Sequence, residues 1–221
     1  MLKAVIFDMD GVLVDSEPLW CVVMIKGFKS VGLDFTEADS KKTTGMRLDE
    51  VIKYWHKKFN WDNKTVFELH DEIIDDLCRM IEEKGVPMKG AVEAVEFFKA
   101  QGLKIGLASS SNNKLINTVI KKLGIARHFE AVHSAEFLPF GKPHPQVFLE
   151  CAKELEVHPE ECLVIEDSLN GVIAAKAARM KAIAVPDAEH AGDKRFVIAD
   201  VQLTSLKEIN ENTIQELIRN H

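Results

Sequence analysis

Four short apolar runs in this sequence lead into residues that can do chemistry. Ala4-Val5-Ile6-Phe7 runs into Asp8-Met9-Asp10-Gly11, and Ile105-Gly106-Leu107-Ala108 into Ser109-Ser110-Ser111. A loop after Ala131-Val132-His133 carries Gly141-Lys142-Pro143, and Leu163-Val164-Ile165 runs into Glu166-Asp167. If these runs are strands of one open parallel sheet, the groups meet in one cleft, because such sheets bind ligands beyond the carboxyl ends of their strands. Crowded carboxylates cannot all ionise cheaply unless a cation sits among them. Oxygen ligands with no His or Cys beside them favour a hard ion such as Mg²⁺. A lysine drawn to the same charge can hold an anion, and the hydroxyls and N–H groups of Ser109 and Ser110, at an expected helix start, suit phosphate oxygens. A metal, a lysine, a helix start and a carboxylate nucleophile together describe phosphoryl transfer.

The elements that must position these groups can be read from periodicity. Residues 3–7, 104–108, 131–133, 163–165 and 182–185 read as buried strands. Between most of them the apolar residues fall at helical spacing. One such face is Val92, Val95 and Phe98; a second is Leu115, Ile116, Val119, Ile120 and Leu123, closed by Gly124 as a C-cap. Two more faces are Val147, Phe148, Cys151, Leu155 and Val172, Ile173, Ala177, Met180. Strands alternating with helices predict an α/β fold, a Rossmann-like core around a parallel sheet. From Ser16 to Gly85 the rhythm changes: this stretch has no convincing buried strand, only helical faces built on Trp20, Val23, Met24, Phe28, on Val51, Ile52, Trp55, and on Val66 through Ile81. It reads as an all-helical insert of about 70 residues, enough for a small bundle. The expected division is a core of residues 1–15 and 86–221 and an insert of residues 16–85, with a closing helix over 208–221.

The chain has 221 residues, 46% hydrophobic and 29% charged, an ordinary globular balance that excludes wholesale disorder. A net charge of −7 with no basic cluster argues against nucleic acid and against an anionic membrane surface as partners. No window approaches the roughly 20 apolar residues of a membrane span. The first residues run straight into a strand without a signal-peptide pattern. Cys21, Cys78, Cys151 and Cys162 form no C-x-x-C pair and read as reduced thiols. These features predict a monomeric, cytoplasmic protein.

Taken together, the motifs resemble those of the haloacid dehalogenase superfamily. Asp8-Met9-Asp10-Gly11-Val12-Leu13-Val14-Asp15-Ser16 is similar to its first motif, D-x-D-G-x-x-x-D-[ST]. Ser109, Lys142 in Gly141-Lys142-Pro143-His144-Pro145, and Glu166-Asp167-Ser168-Leu169-Asn170-Gly171 are similar to the second, third and fourth, in order. The helical insert resembles the cap domain of the β-phosphoglucomutase-like branch. Within that branch, Asp15 to Trp20, Gly45-Met46-Arg47, Lys142 to Val147 and Ala174 to Met180 look like sugar-phosphate phosphatases that act on 2-deoxyglucose 6-phosphate and hexitol phosphates.

The resemblance implies a phosphatase of small sugar or sugar-alcohol phosphates, with β-phosphoglucomutase as the alternative. It implies that Asp8 attacks phosphorus and that Asp10 is the acid and base. Ser109, Ser110 and Lys142 would hold phosphoryl oxygens. Mg²⁺ would be bound by Asp8, the Asp10 carbonyl and Asp167, with Glu166 adjacent or acting through water. Arg47 reads either as a solvated loop arginine or as one facing an anionic substrate. Ser111 reads as a helix cap or a phosphate neighbour, and Asp167 as a possible helix cap as well as a ligand. Asp15 and Ser16 are expected as hinge and cap residues, and all three tryptophans as packing of the insert, Trp20 with an option on the cleft. A phosphorylated receiver module shares the acidic residues, hydroxyl and lysine but places its phosphoacceptor after a later strand and lacks the insert. A dehalogenase proper would not need Asp10 or the Glu166-Asp167 pair for metal.

Overall fold

A computed structural model describes residues 1–43 and 46–219. Gly45, and Asn220 and His221 at the end of the expected closing helix, lie outside the described residues.

Strand β1 (Ala4–Phe7) is completely buried, and its side chains alternate: Val5 and Phe7 enter one apolar cluster, Ala4 and Ile6 the other. That is the signature of a central parallel strand covered on both faces, where the sequence is apolar throughout rather than alternating with polar residues. Strands β2 (Lys104–Ser109), β3 (Ala131–Ser134), β4 (Cys162–Glu166), β5 (Lys181–Ala184) and β6 (Val201–Gln202) complete a six-stranded sheet in the order β3-β2-β1-β4-β5-β6. Every pairing between these six strands is parallel. β6 was not expected; two residues at a sheet edge carry no period. The strand order reverses between β1 and β4, so the ends of these two strands border the crevice where an α/β sheet binds its ligand.

Helices α5 (Ala91–Ala100) and α6 (Asn113–Lys122) cover one face, and α7 (Gln146–Glu154) and α8 (Leu169–Ala177) the other. Gly124, at φ +68°, lies just beyond α6 as expected. The closing helix α9 is Glu211–Arg219, shorter than expected at its start because Leu206–Glu208 form a 3-10 turn.

Between β1 and α5, the described residues form helices only: α1 (Glu17–Ser30), α2 (Glu37–Lys41), α3 (Leu48–Phe59) and α4 (Val66–Lys84). The fold is thus a Rossmann-like α/β core with a small helical cap inserted after its first strand. α2 is too short to show a period; the reciprocal capping of Thr36 and Asp39 holds it. The cap has its own aromatic core, with Phe28 stacked on Phe35 at 4.5 Å and Trp55 and Trp61 edge-on to them at 5.3 and 5.8 Å. Two chain segments join cap to core side by side. Asp15 N–H donates to Val86 O at 3.1 Å, and Met88 N–H to Leu13 O at 3.0 Å. No described helix is long and apolar enough to cross a membrane. All four cysteines are free thiols.

Candidate active site

Asp8 emerges from β1 into a nearly closed space, only 6% exposed. Lys142, from the loop after β3, donates to Asp8 Oδ1 at 2.5 Å, to Glu166 Oε1 at 2.6 Å and to Ala108 O at 3.0 Å. Its ammonium also lies 4.7 Å over the Phe148 ring. Burial raises the Asp8 pKa to about 7 against the pull of Lys142, and Glu166 and Asp10 push the same way. Burial opposes the charge of Lys142 too, but Asp8 and Glu166 overcome it and hold the ammonium protonated above its ordinary range.

Asp10 does not join this cluster with its side chain. Its Oδ1 accepts from Ser16 Oγ at 2.6 Å and Trp20 Nε1 at 2.9 Å, and its Oδ2 accepts from Ser111 Oγ at 2.7 Å. Ser16 stands at the N-cap of α1 as expected but gives its hydroxyl to Asp10, Trp20 packs against the apolar cluster while its N–H takes the cleft option, and the side-chain cap of α6 is Asn112 rather than a serine. Ser16 and Trp20 stand four residues apart at the start of α1, so both face Asp10; that spacing was the available signal. Ser109 is buried, and its Oγ accepts from Ser111 N–H at 3.0 Å. The Ser110 hydroxyl is buried without a hydrogen-bond partner.

Oxygens of Asp8, Glu166 and Asp167 lie within 4.8 Å of one another. The three are not equivalent. Glu166 is fully buried, and its Oε2 already accepts from Ser168 N–H at 3.1 Å and Ser168 Oγ at 3.0 Å, while its other oxygen holds Lys142. A side chain at Gly171 would come within 1.8 Å of that carboxylate, so the glycine is the space Glu166 occupies. Asp167 is not the cap of α8; Ser168 is, accepting from Gly171 N–H at 3.0 Å. The Asp167 carboxylate instead faces Gly11, where a Cβ would come within 2.1 Å of Oδ2. Burial, followed by Glu166 and Asp8, pushes its pKa well above the usual carboxylate range. Two buried acids beside a third, with one lysine among them, are a donor set that a divalent hard cation fits.

Between cap and core lies a cavity of about 1030 Å³, lined by every predicted site residue: Asp8, Asp10, Arg47, Ser109, Ser110, Lys142, Glu166 and Asp167. Arg47, in the cap, does not float in it. Its Nη1 donates to the carbonyls of Ala135 at 2.9 Å and Leu138 at 2.8 Å, and its Nε to Asp49 Oδ1 at 2.5 Å. It braces the cap against the loop that follows β3, a role that spacing did not reveal because the acceptors are backbone carbonyls.

A family model for haloacid dehalogenase-like hydrolases matches residues 2–179, and the chain belongs to that family. It is an enzyme, a phosphatase. The chain is 43% identical over 209 residues to hexitol phosphatase B of Escherichia coli (strain K12), covering 94% of each chain. It is 32% identical to the phosphorylated carbohydrates phosphatase of Thermotoga maritima, over 82% of this chain and 84% of that one. Among solved structures, β-phosphoglucomutase from Clostridium difficile is similar with a TM-score of 0.85 and 28% identity, over 99% of this chain and 98% of that one.

Proposed function

We propose that the protein is a Mg²⁺-dependent phosphatase of small sugar phosphates, whether hexose, deoxyhexose or hexitol phosphates, that works through an aspartyl-phosphate on Asp8. The observation that carries this reading is the pairing of two neighbouring aspartates in different environments: Asp8 beside Lys142 and the acids, Asp10 held apart by neutral donors. Asp8 attacks phosphorus as the bond to the sugar oxygen breaks, and Asp10 gives that oxygen its proton. In the second step Asp10 takes a proton from water as the water attacks the phosphoryl group on Asp8, returning a free carboxylate and inorganic phosphate. Lys142, Ser109 and the unpartnered Ser110 hydroxyl hold phosphoryl oxygens.

Asp8 and Asp167, with the Asp10 carbonyl, would hold Mg²⁺; Glu166 adds negative charge while anchoring Lys142. When bound, the ion offsets the charge that phosphate brings among the carboxylates. The core of residues 1–15 and 86–221 does the chemistry, and the cap of residues 16–85, braced by Arg47, selects the leaving group. All of these groups come from one chain, and its four cysteines are free, which suits a monomeric enzyme of the cytoplasm. Trp20 favours hydrolysis over the mutase reaction: an indole N–H donates one hydrogen bond but carries no exchangeable charge to withhold Asp10 from water.

A phosphate-release screen over hexose, deoxyhexose and hexitol phosphates with Mg²⁺ tests the reading. Phosphate release faster than any isomerisation of β-glucose 1-phosphate is the expected result. Isomerisation outrunning phosphate release would promote the mutase.

A further inference from the structure

A phosphomonoester anchored at Asp8 and Lys142 presents the rest of its atoms to the cap. Among the described residues lining the cavity, the lysine and arginine side chains are Lys142, Arg47 and Lys53. Lys142 is held between Asp8 and Glu166. The other two meet on one carboxylate. Asp49 Oδ1 accepts from Arg47 Nε at 2.5 Å, and its Oδ2 accepts from Lys53 Nζ at 2.6 Å and Arg47 Nη2 at 3.4 Å. Glu50 lies 3.7 Å from the same guanidinium. Partial burial works against the Asp49 charge, but the bonds from Lys53 and Arg47 hold its carboxyl below the usual range. The remaining wall also carries Glu136, which accepts from Asn113, and Asp187 beside His190. A cleft whose carboxylates outnumber its cations, each cation already paired, repels a second anionic group.

We infer that Asp49 is a specificity-determining residue. Together with Glu50 it neutralises Arg47 and Lys53, and so denies the cavity a cation for a second anionic group. The site therefore takes phosphomonoesters whose remainder is uncharged or cationic, and refuses bisphosphates and phosphorylated sugar acids. This deepens the sugar-phosphate reading and rests on it for the position of the phosphate.

The test uses turnover of p-nitrophenyl phosphate with Mg²⁺ as reporter, inhibited by glucose 6-phosphate or by glucose 1,6-bisphosphate. The wild-type protein should bind the monophosphate about tenfold more tightly, a gap of about 1.4 kcal/mol. Asp49→Asn should move that ratio about tenfold toward the bisphosphate, whereas Asp49→Glu, which keeps the charge, should leave it near wild type. Ser40→Lys adds a cation elsewhere on the cavity wall and should move the ratio the same way, so the idea stays testable if Asp49→Asn does not fold. Bisphosphate binding as tight as monophosphate in the wild-type protein overturns the inference. So does a ratio that neither Asp49→Asn nor Ser40→Lys moves. If no sugar ester releases phosphate yet the inhibition ratios behave as stated, the sugar-phosphatase reading fails and the charge rule stands.

Discussion

The indole Nε1 of Trp20 donates to Asp10 Oδ1 at 2.9 Å, tying the first cap helix to the carboxylate that stands two residues from Asp8. Ser16 and Ser111 complete the grip, one from the start of the cap and one from the core. The orientation of Asp10 therefore depends on the cap being in place. In haloacid dehalogenase-like chemistry of the kind proposed here, that couples substrate enclosure to proton transfer.

Trp20→Phe keeps the ring and removes the donor. Hydrogen bonds to charged groups contribute about 1.5–3 kcal/mol, so kcat on sugar phosphates should fall about tenfold or more. The loss should be smaller for p-nitrophenyl phosphate, whose leaving group needs no proton. Steady-state kinetics on both esters checks this; an equal loss on the two would mean Trp20 only packs.

Asp8→Asn should abolish turnover and the acid-labile covalent phosphate, because an amide is not a nucleophile under these conditions. Asp10→Asn should reduce turnover by about 10²–10⁴, the range for a positioned acid or base. Mass spectrometry of quenched enzyme distinguishes the two.

The raised pKa of Asp8, from 3.8 to about 7, should make the proposed Mg²⁺ binding depend on pH. In metal-free protein this carboxyl is protonated below about pH 7, so Mg²⁺ must displace a proton there, and because burial raises Asp167 as well, its affinity should rise with pH through that range. The sign for stability is opposite to that of an acid whose pKa an ion pair lowers, because here burial outweighs Lys142. Between pH 3.8 and about 7 the folded state holds a proton that the unfolded chain has released, so this group's contribution to stability falls as pH rises through that window. Melting with and without Mg²⁺ should show a larger metal-induced gain at pH 8 than at pH 5.5. A gain that shrinks toward pH 8 would contradict the assignment.

Gly171→Ala places a methyl group 1.8 Å from Glu166 Oε1, in a helix where alanine would ordinarily be favoured. Overpacking of this kind costs about 1–3 kcal/mol. The variant should melt several degrees lower and lose activity through the displaced Glu166–Lys142 pair. An unchanged melting temperature would show that the carboxylate moves freely.

Arg47→Ala removes both bonds from the cap to the carbonyls of Ala135 and Leu138. KM for sugar phosphates should rise about tenfold, in keeping with two lost charge-assisted bonds partly replaced by water. KM for p-nitrophenyl phosphate should change less. A fall in kcat with KM unchanged would place Arg47 in the chemistry instead.

The main strands and the order of the motifs could be read from the sequence, because apolar runs such as Ala4–Phe7 and Leu163-Val164-Ile165, bounded by turn residues and alternating with helical segments, read as doubly covered strands, and the residues after them then emerge on one edge. Asp8, Ser109, Lys142, Glu166 and Asp167 were accessible in this way. The helical character of the cap was accessible too, from period 3.6. The two-residue β6 and five-residue α2 were not, since neither is long enough to show a period. Which way a side chain turns was decided only by tertiary structure. Trp20 has the same helical spacing as Phe28, yet one faces Asp10 and the other the cap core. Arg47 could have met solvent or substrate by any local rule; its acceptors lie 88 and 91 residues away, on backbone that carries no sequence signal. Periodicity records which face of an element is buried, while the partner across that face is fixed by how separate elements pack, and that is where the hydrogen-bond geometry of Asp10 and the charge pairing in the cavity were set.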